Sequence, residues 1–147
     1  MARSWGRQIY RVERVLRMRQ WLPLIDYTQA SQTLDFIQDL PYWKKEVSRK
    51  KLHISVVPPS SYAIKSGMRH HRRTRSFVLT LSMGECSVGR IIHEAPHAAL
   101  YFERPEHGDK YLRCWLNLWQ IMSHADEYRP VFAYLRRLGV PVDEFLS

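Results

Sequence analysis

The pair His93 and His97 constrains this chain more than any other feature of its sequence. On an α-helix, residues four apart stack on one face, so a helix here presents two imidazoles side by side. Glu94 stands beside the first, completing an HExxH pattern. Neutral imidazole nitrogens bind Zn²⁺ at about 2.0 to 2.1 Å, and a catalytic zinc site takes three protein ligands and keeps one open position. A carboxylate next to the ligands is then placed to take a proton from water.

The flanking residues support a helix in this place. Ser76, Phe77, Val78, Leu79, Thr80 and Leu81 combine β-branched and aromatic residues over one strand length, which predicts a buried strand. Ser82 to Ser87 supplies a turn and an N-cap, and Val88, Ile91, Ile92, Ala95, Ala99 and Leu100 follow as an apolar stripe at helical spacing. A strand leading into such a helix lets substrate backbone lie along a sheet edge above the metal. Pro96 works against this arrangement. Its ring meets the carbonyl of Ile92 and removes one helical hydrogen bond, at a cost of about 3 kcal/mol in a helix interior. The expectation is a helix that begins late or kinks between the two histidines.

A third ligand has several candidates in Glu103, Glu106, His107, His124 and Glu127. Arg104 and Pro105 break the chain after the stripe, so His107 can turn back toward the helix. Gly108 then permits a tight turn before a new helix beginning at Asp109, Lys110 and Tyr111. His107 is the expected third ligand, with Glu127 next.

HExxH, a short loop, then His-Gly and a following aromatic is an order that resembles the SprT-like and related minimal zincins. More closely, it resembles a small family of metallohydrolases of mycobacteria, related actinobacteria and their phages. The likeness covers roughly the last seventy residues: the strand Phe77 to Leu81, His93-Glu94-Ala95-Pro96-His97, His107-Gly108-Asp109-Lys110-Tyr111, and the tail Leu135 to Val140. The resemblance implies that His93, His97 and His107 hold Zn²⁺ and that Glu94 is the general base. Pro96 departs from the helix former usual in these families, and Asp109 stands where a proline is common.

At 147 residues the chain has room for one domain, here expected to span 1–147. Its 45% hydrophobic content and five tryptophans fit a folded globule. The two cysteines, Cys86 and Cys114, have no metal-ligand spacing and make no disulfide framework, so a reducing compartment is expected. Neither a signal peptide nor a membrane-length apolar run is visible, and the expected location is cytoplasmic.

A formal charge of +9 gives affinity for polyanions, yet its placement says more than its total. Arg3, Arg7, Arg11, Arg14, Arg17 and Arg19 alternate with Ile9, Val12, Val15 and Leu16 in an amphipathic helix. That helix reads either as a packed element with a solvated arginine face or as a phosphate-tracking arm. Thr28 is the expected cap of a second helix through Leu34, Phe36, Ile37 and Leu40, and Trp43 beyond it is expected to cover the core. Leu52 to Val57 reads as another strand, with His53 exposed. Ser60 to Arg75 reads as a basic hairpin or loop, and Arg69, Arg72, Arg73 and Arg75 are its candidate nucleic-acid contacts. Beyond the site, Tyr111, Leu112, Trp115, Leu116, Leu118, Trp119 and Met122 build an apolar helix. Asp126 caps a last one closed by Gly139.

The combined expectation is an α+β, minimal zincin-like domain, with a small β-sheet packed against the HExxH helix and further helices around it. Its expected function is that of a zinc-dependent hydrolase, a metallopeptidase acting on peptide or protein. The alternative is a non-catalytic basic protein on the same scaffold, associated with nucleic acid or virions.

Overall fold

A computed structural model describes residues 2–24, 26–57, 67–71, 76–82 and 86–147, with only the backbone described at 54–57, 67–71 and 76–82. The expected nucleic-acid contacts Arg72, Arg73 and Arg75 lie outside the described residues, and Arg69 is described in its backbone alone. The chain groups into two compact units, Met1–Met18 with Leu100–Ser147, and Arg19–Ala99.

In the first unit, helix α1 (Gly6–Val15) forms as its apolar spacing requires, burying Ile9 and Val12. α4 (Asp109–Met122) is apolar over most of its surface and buries Tyr111, Leu112, Trp115, Leu116, Leu118 and Trp119. α5 (Ala125–Arg137) adds Val131, Phe132 and Leu135, and the short α6 (Val142–Phe145) adds Val142 and Phe145. α5 ends in a Schellman arrangement, in which Gly139 at φ +86 donates to Arg136 and Val140 donates to Leu135. The α5 cap differs from expectation. His124, not Asp126, occupies the N-cap, and its backbone N–H donates to Glu127 at 2.9 Å.

The second unit opens with α2 (Tyr27–Asp39). Its N-cap is Asp26 rather than Thr28, the carboxylate accepting from the Gln29 N–H at 2.8 Å. Trp43, fully buried in the π-helical turn Trp43–Val47, covers the core as expected. Strands β1 (Leu52–Val57), β2 (Gly67–His71) and β3 (Ser76–Ser82) pair in the order β1-β3-β2, β1 parallel and β2 antiparallel to β3. β1 is therefore an edge. The buried Gln38 amide closes it at Leu52, donating to the carbonyl at 3.3 Å and accepting from the N–H at 2.6 Å. His53 is exposed, as the alternation predicts. The unit ends in α3 (Val88–Ala99).

The α+β expectation is overturned, because the described residues are mostly helical. The physical reason is area: each strand has seven residues or fewer, whereas the four longer helices other than α3 each bury an apolar face of their own. Sequence patterning correctly finds strand-like segments around the HExxH motif, but it overweights them as the organising layer. Among the described residues, no helix is long and apolar enough to cross a membrane.

Candidate metal centre

α3 starts where Ser87 caps it, the hydroxyl oxygen accepting from the Arg90 N–H at 3.0 Å. The same hydroxyl donates to the Arg19 carbonyl, and Val88 and Gly89 donate to Leu22 and Trp21, so the helix origin is fixed by the strap before it. The helix continues past Pro96 to Ala99 and neither starts late nor stops between the histidines. Pro96 is itself buried. The imidazoles of His93 and His97 therefore keep their i, i+4 relation, with ring centroids 5.2 Å apart and planes at 62°.

Glu94 is buried in the turn between them, at 7% exposure. Arg90, one turn earlier on the same helix, brings its guanidinium to 4.0 Å from the Glu94 carboxylate. Both side chains are shielded from water, which keeps this i, i+4 pair from being screened as a surface pair is. The guanidinium thus places a positive charge beside the Glu94 carboxylate. Sequence reasoning passed over Arg90, although its spacing of four from Glu94 was visible.

His107 is buried as well, and its surroundings come from far along the chain. The Trp5 N–H donates to the His107 carbonyl at 2.7 Å, and the Trp5 indole N–H donates to Asp109 at 2.8 Å. Tyr10 and Tyr111 meet the imidazole edge-on, with centroids at 5.0 and 4.8 Å. Gly6 lies against it too: a Cβ there would stand 3.3 Å from Nδ1. Gly108 serves the same segment by close approach, since a Cβ on it would meet the Pro105 carbonyl oxygen at 3.1 Å.

One ring nitrogen from each of His93, His97 and His107 lies within 4.8 Å of the others. Three nitrogens so gathered can hold a metal ion, and neutral imidazole is a donor suited to zinc and to other first-row ions. The remaining candidates are placed otherwise. Glu103 pairs with Lys110 at 2.8 Å, Glu106 is exposed, and His124 and Glu127 are joined at the start of α5. No family model, curated protein or solved structure matches this chain.

Cys86 and Cys114 are free and buried. Burial pushes the Cys114 thiol well above its ordinary range, while burial and then the Asp26 charge raise Cys86. Both groups are thereby kept as neutral thiols, small core residues rather than nucleophiles.

Proposed function

We propose that this chain is a zinc-dependent hydrolase that cleaves peptide bonds. The reading is carried by one observation, the three converging histidine nitrogens with a buried glutamate in the helical turn between two of them. His93, His97 and His107 would hold the ion. Bound zinc supplies a Lewis acid for the scissile carbonyl and eases deprotonation of water. The chain's own work is proton transfer. Glu94 accepts the proton of the attacking water on its carboxylate and delivers it to the leaving amine nitrogen. Arg90 sets a positive charge beside that carboxylate, and burial of the Glu94 side chain limits water around it.

Elemental analysis of the purified protein beside His97→Ala tests the metal, with one zinc per chain expected in the first and little in the second. Glu94→Gln tests the chemistry. It should keep the zinc and lose at least 100-fold in turnover on a peptide library, the lower end of what a positioned general base contributes, roughly 10²–10⁴. Unchanged turnover in Glu94→Gln removes Glu94 from the mechanism. Zinc bound with no cleavage by the wild type would leave the ion as a structural staple, as the non-catalytic alternative holds.

A further inference from the structure

We propose that α1 carries a docking face for single-stranded nucleic acid, formed by Arg7, Arg11 and Arg14 with Tyr10 at its edge. The three arginines follow one another at spacings of four and three, which places them along one side of the helix, spread over about 10 Å of its length. All three are exposed. Like charges at these spacings destabilise a helix. The only carboxylate of α1, Glu13, is buried at 2% exposure, and among the described residues none of the three arginines forms an ion pair.

Several other basic residues among those described have a carboxylate beside them. Lys44 pairs with Asp39 at 3.8 Å, Lys51 with Asp35 at 2.9 Å, Lys45 with Glu46 at 3.9 Å, and Arg136 with Asp143 at 2.8 Å. The α1 stripe is thus a place where positive charge is concentrated without a local counter-charge. A chain of phosphates supplies that counter-charge, and planar guanidinium groups bind phosphate with two donors at once. Tyr10 argues for a single strand over a duplex. It lies on the same helix between Arg7 and Arg11, is 43% exposed, and is held by its edge contact with the His107 ring. A fixed, half-open aromatic ring is a stacking platform for an unpaired base of any sequence. Docking on this face needs neither the metal nor Glu94, so it stands or falls apart from the hydrolase reading.

Fluorescence anisotropy with an end-labelled oligothymidylate tests the proposal on the full chain, against Arg7→Gln/Arg11→Gln/Arg14→Gln and the corresponding triple Lys variant. Each phosphate contact on a single strand contributes about −0.7 to the slope of log affinity against log salt. Removing three contacts should flatten the slope by about 2, so the wild type should lose roughly 20-fold more affinity than the Gln variant between 50 and 200 mM salt. The Lys variant should retain most of the salt dependence, and Tyr10→Ala should weaken binding to the oligonucleotide about 10-fold while leaving its salt slope unchanged. An unchanged slope in the Gln variant, with its circular dichroism intact, overturns the proposal. So does equal binding of a duplex or of poly-glutamate, which would show that charge alone is recognised.

Discussion

Gly6 is a residue whose importance is invisible locally. Its missing side chain lets the His107 imidazole lie against the first turn of α1, and a methyl group there must push Nδ1 back by a few tenths of an ångström. We expect Gly6→Ala to lower zinc affinity about 10-fold in competition with a chelator, the size usual for disturbing the support of a metal ligand. The same change favours the helix, because Ala exceeds Gly by up to about 1 kcal/mol in propensity. Weaker zinc together with an undiminished apo-protein melting temperature is the combined signature, and unaltered zinc affinity would count against the packing argument. Cys114 gives a residue-scale prediction of another kind. Its raised thiol stays protonated in the folded chain when the unfolded chain has begun to ionise, so its contribution is complete below about pH 9 and declines above it. Stability should then fall by up to about 1.4 kcal/mol per pH unit from this group. Urea titrations of Cys114→Ala between pH 8.5 and 10.5 should show a shallower decline than the wild type; parallel declines would dismiss the thiol as the cause.

Among the elements, α3 is the most legible from sequence. Its apolar stripe and its serine cap locate it correctly, and the late start that Pro96 suggests does not occur, since the helix runs from Val88 to Ala99. Helix propensity is a local quantity, and burial of Pro96 and its neighbours Ala95 and Ala98 outweighs one missing hydrogen bond. α1, α2, α4 and α5 were likewise readable from periodicity, whereas β2 was subsumed in a basic hairpin because its residues lack strand-like alternation. His107 could be named from the turn residues around it. Its contacts with Trp5, Gly6 and Tyr10 could not, since nothing in a single sequence ties position 5 to position 107. β1 offers the test at this scale. Gln38→Leu removes both partners of the Leu52 peptide groups, and leaving buried backbone groups unsatisfied costs about 1 to 3 kcal/mol each. We expect a loss of about 2 to 4 kcal/mol by chemical denaturation, set by the same penalty. A loss below about 0.5 kcal/mol would mean that water replaces the amide.

At the scale of the whole molecule, metal and folding are linked through mass action. A ligand that binds only the folded chain stabilises it by about 2.7 kcal/mol when present at 100 times its dissociation constant. Zinc should therefore raise the melting temperature of the wild type and leave that of His97→Ala unmoved; an equal rise in both would place the ion elsewhere. The bond from Trp5 to Asp109 spans 104 positions of sequence, and its neighbour joins Trp5 to His107. Contacts that distant close a long loop and cannot form until both of their ends have been made. On the ribosome α1 is made first and has to wait for residues 107–109 before it can be seated, so for most of synthesis α1 lacks these partners. The seat of α1 is in this way completed only after residues 107–109 have been made.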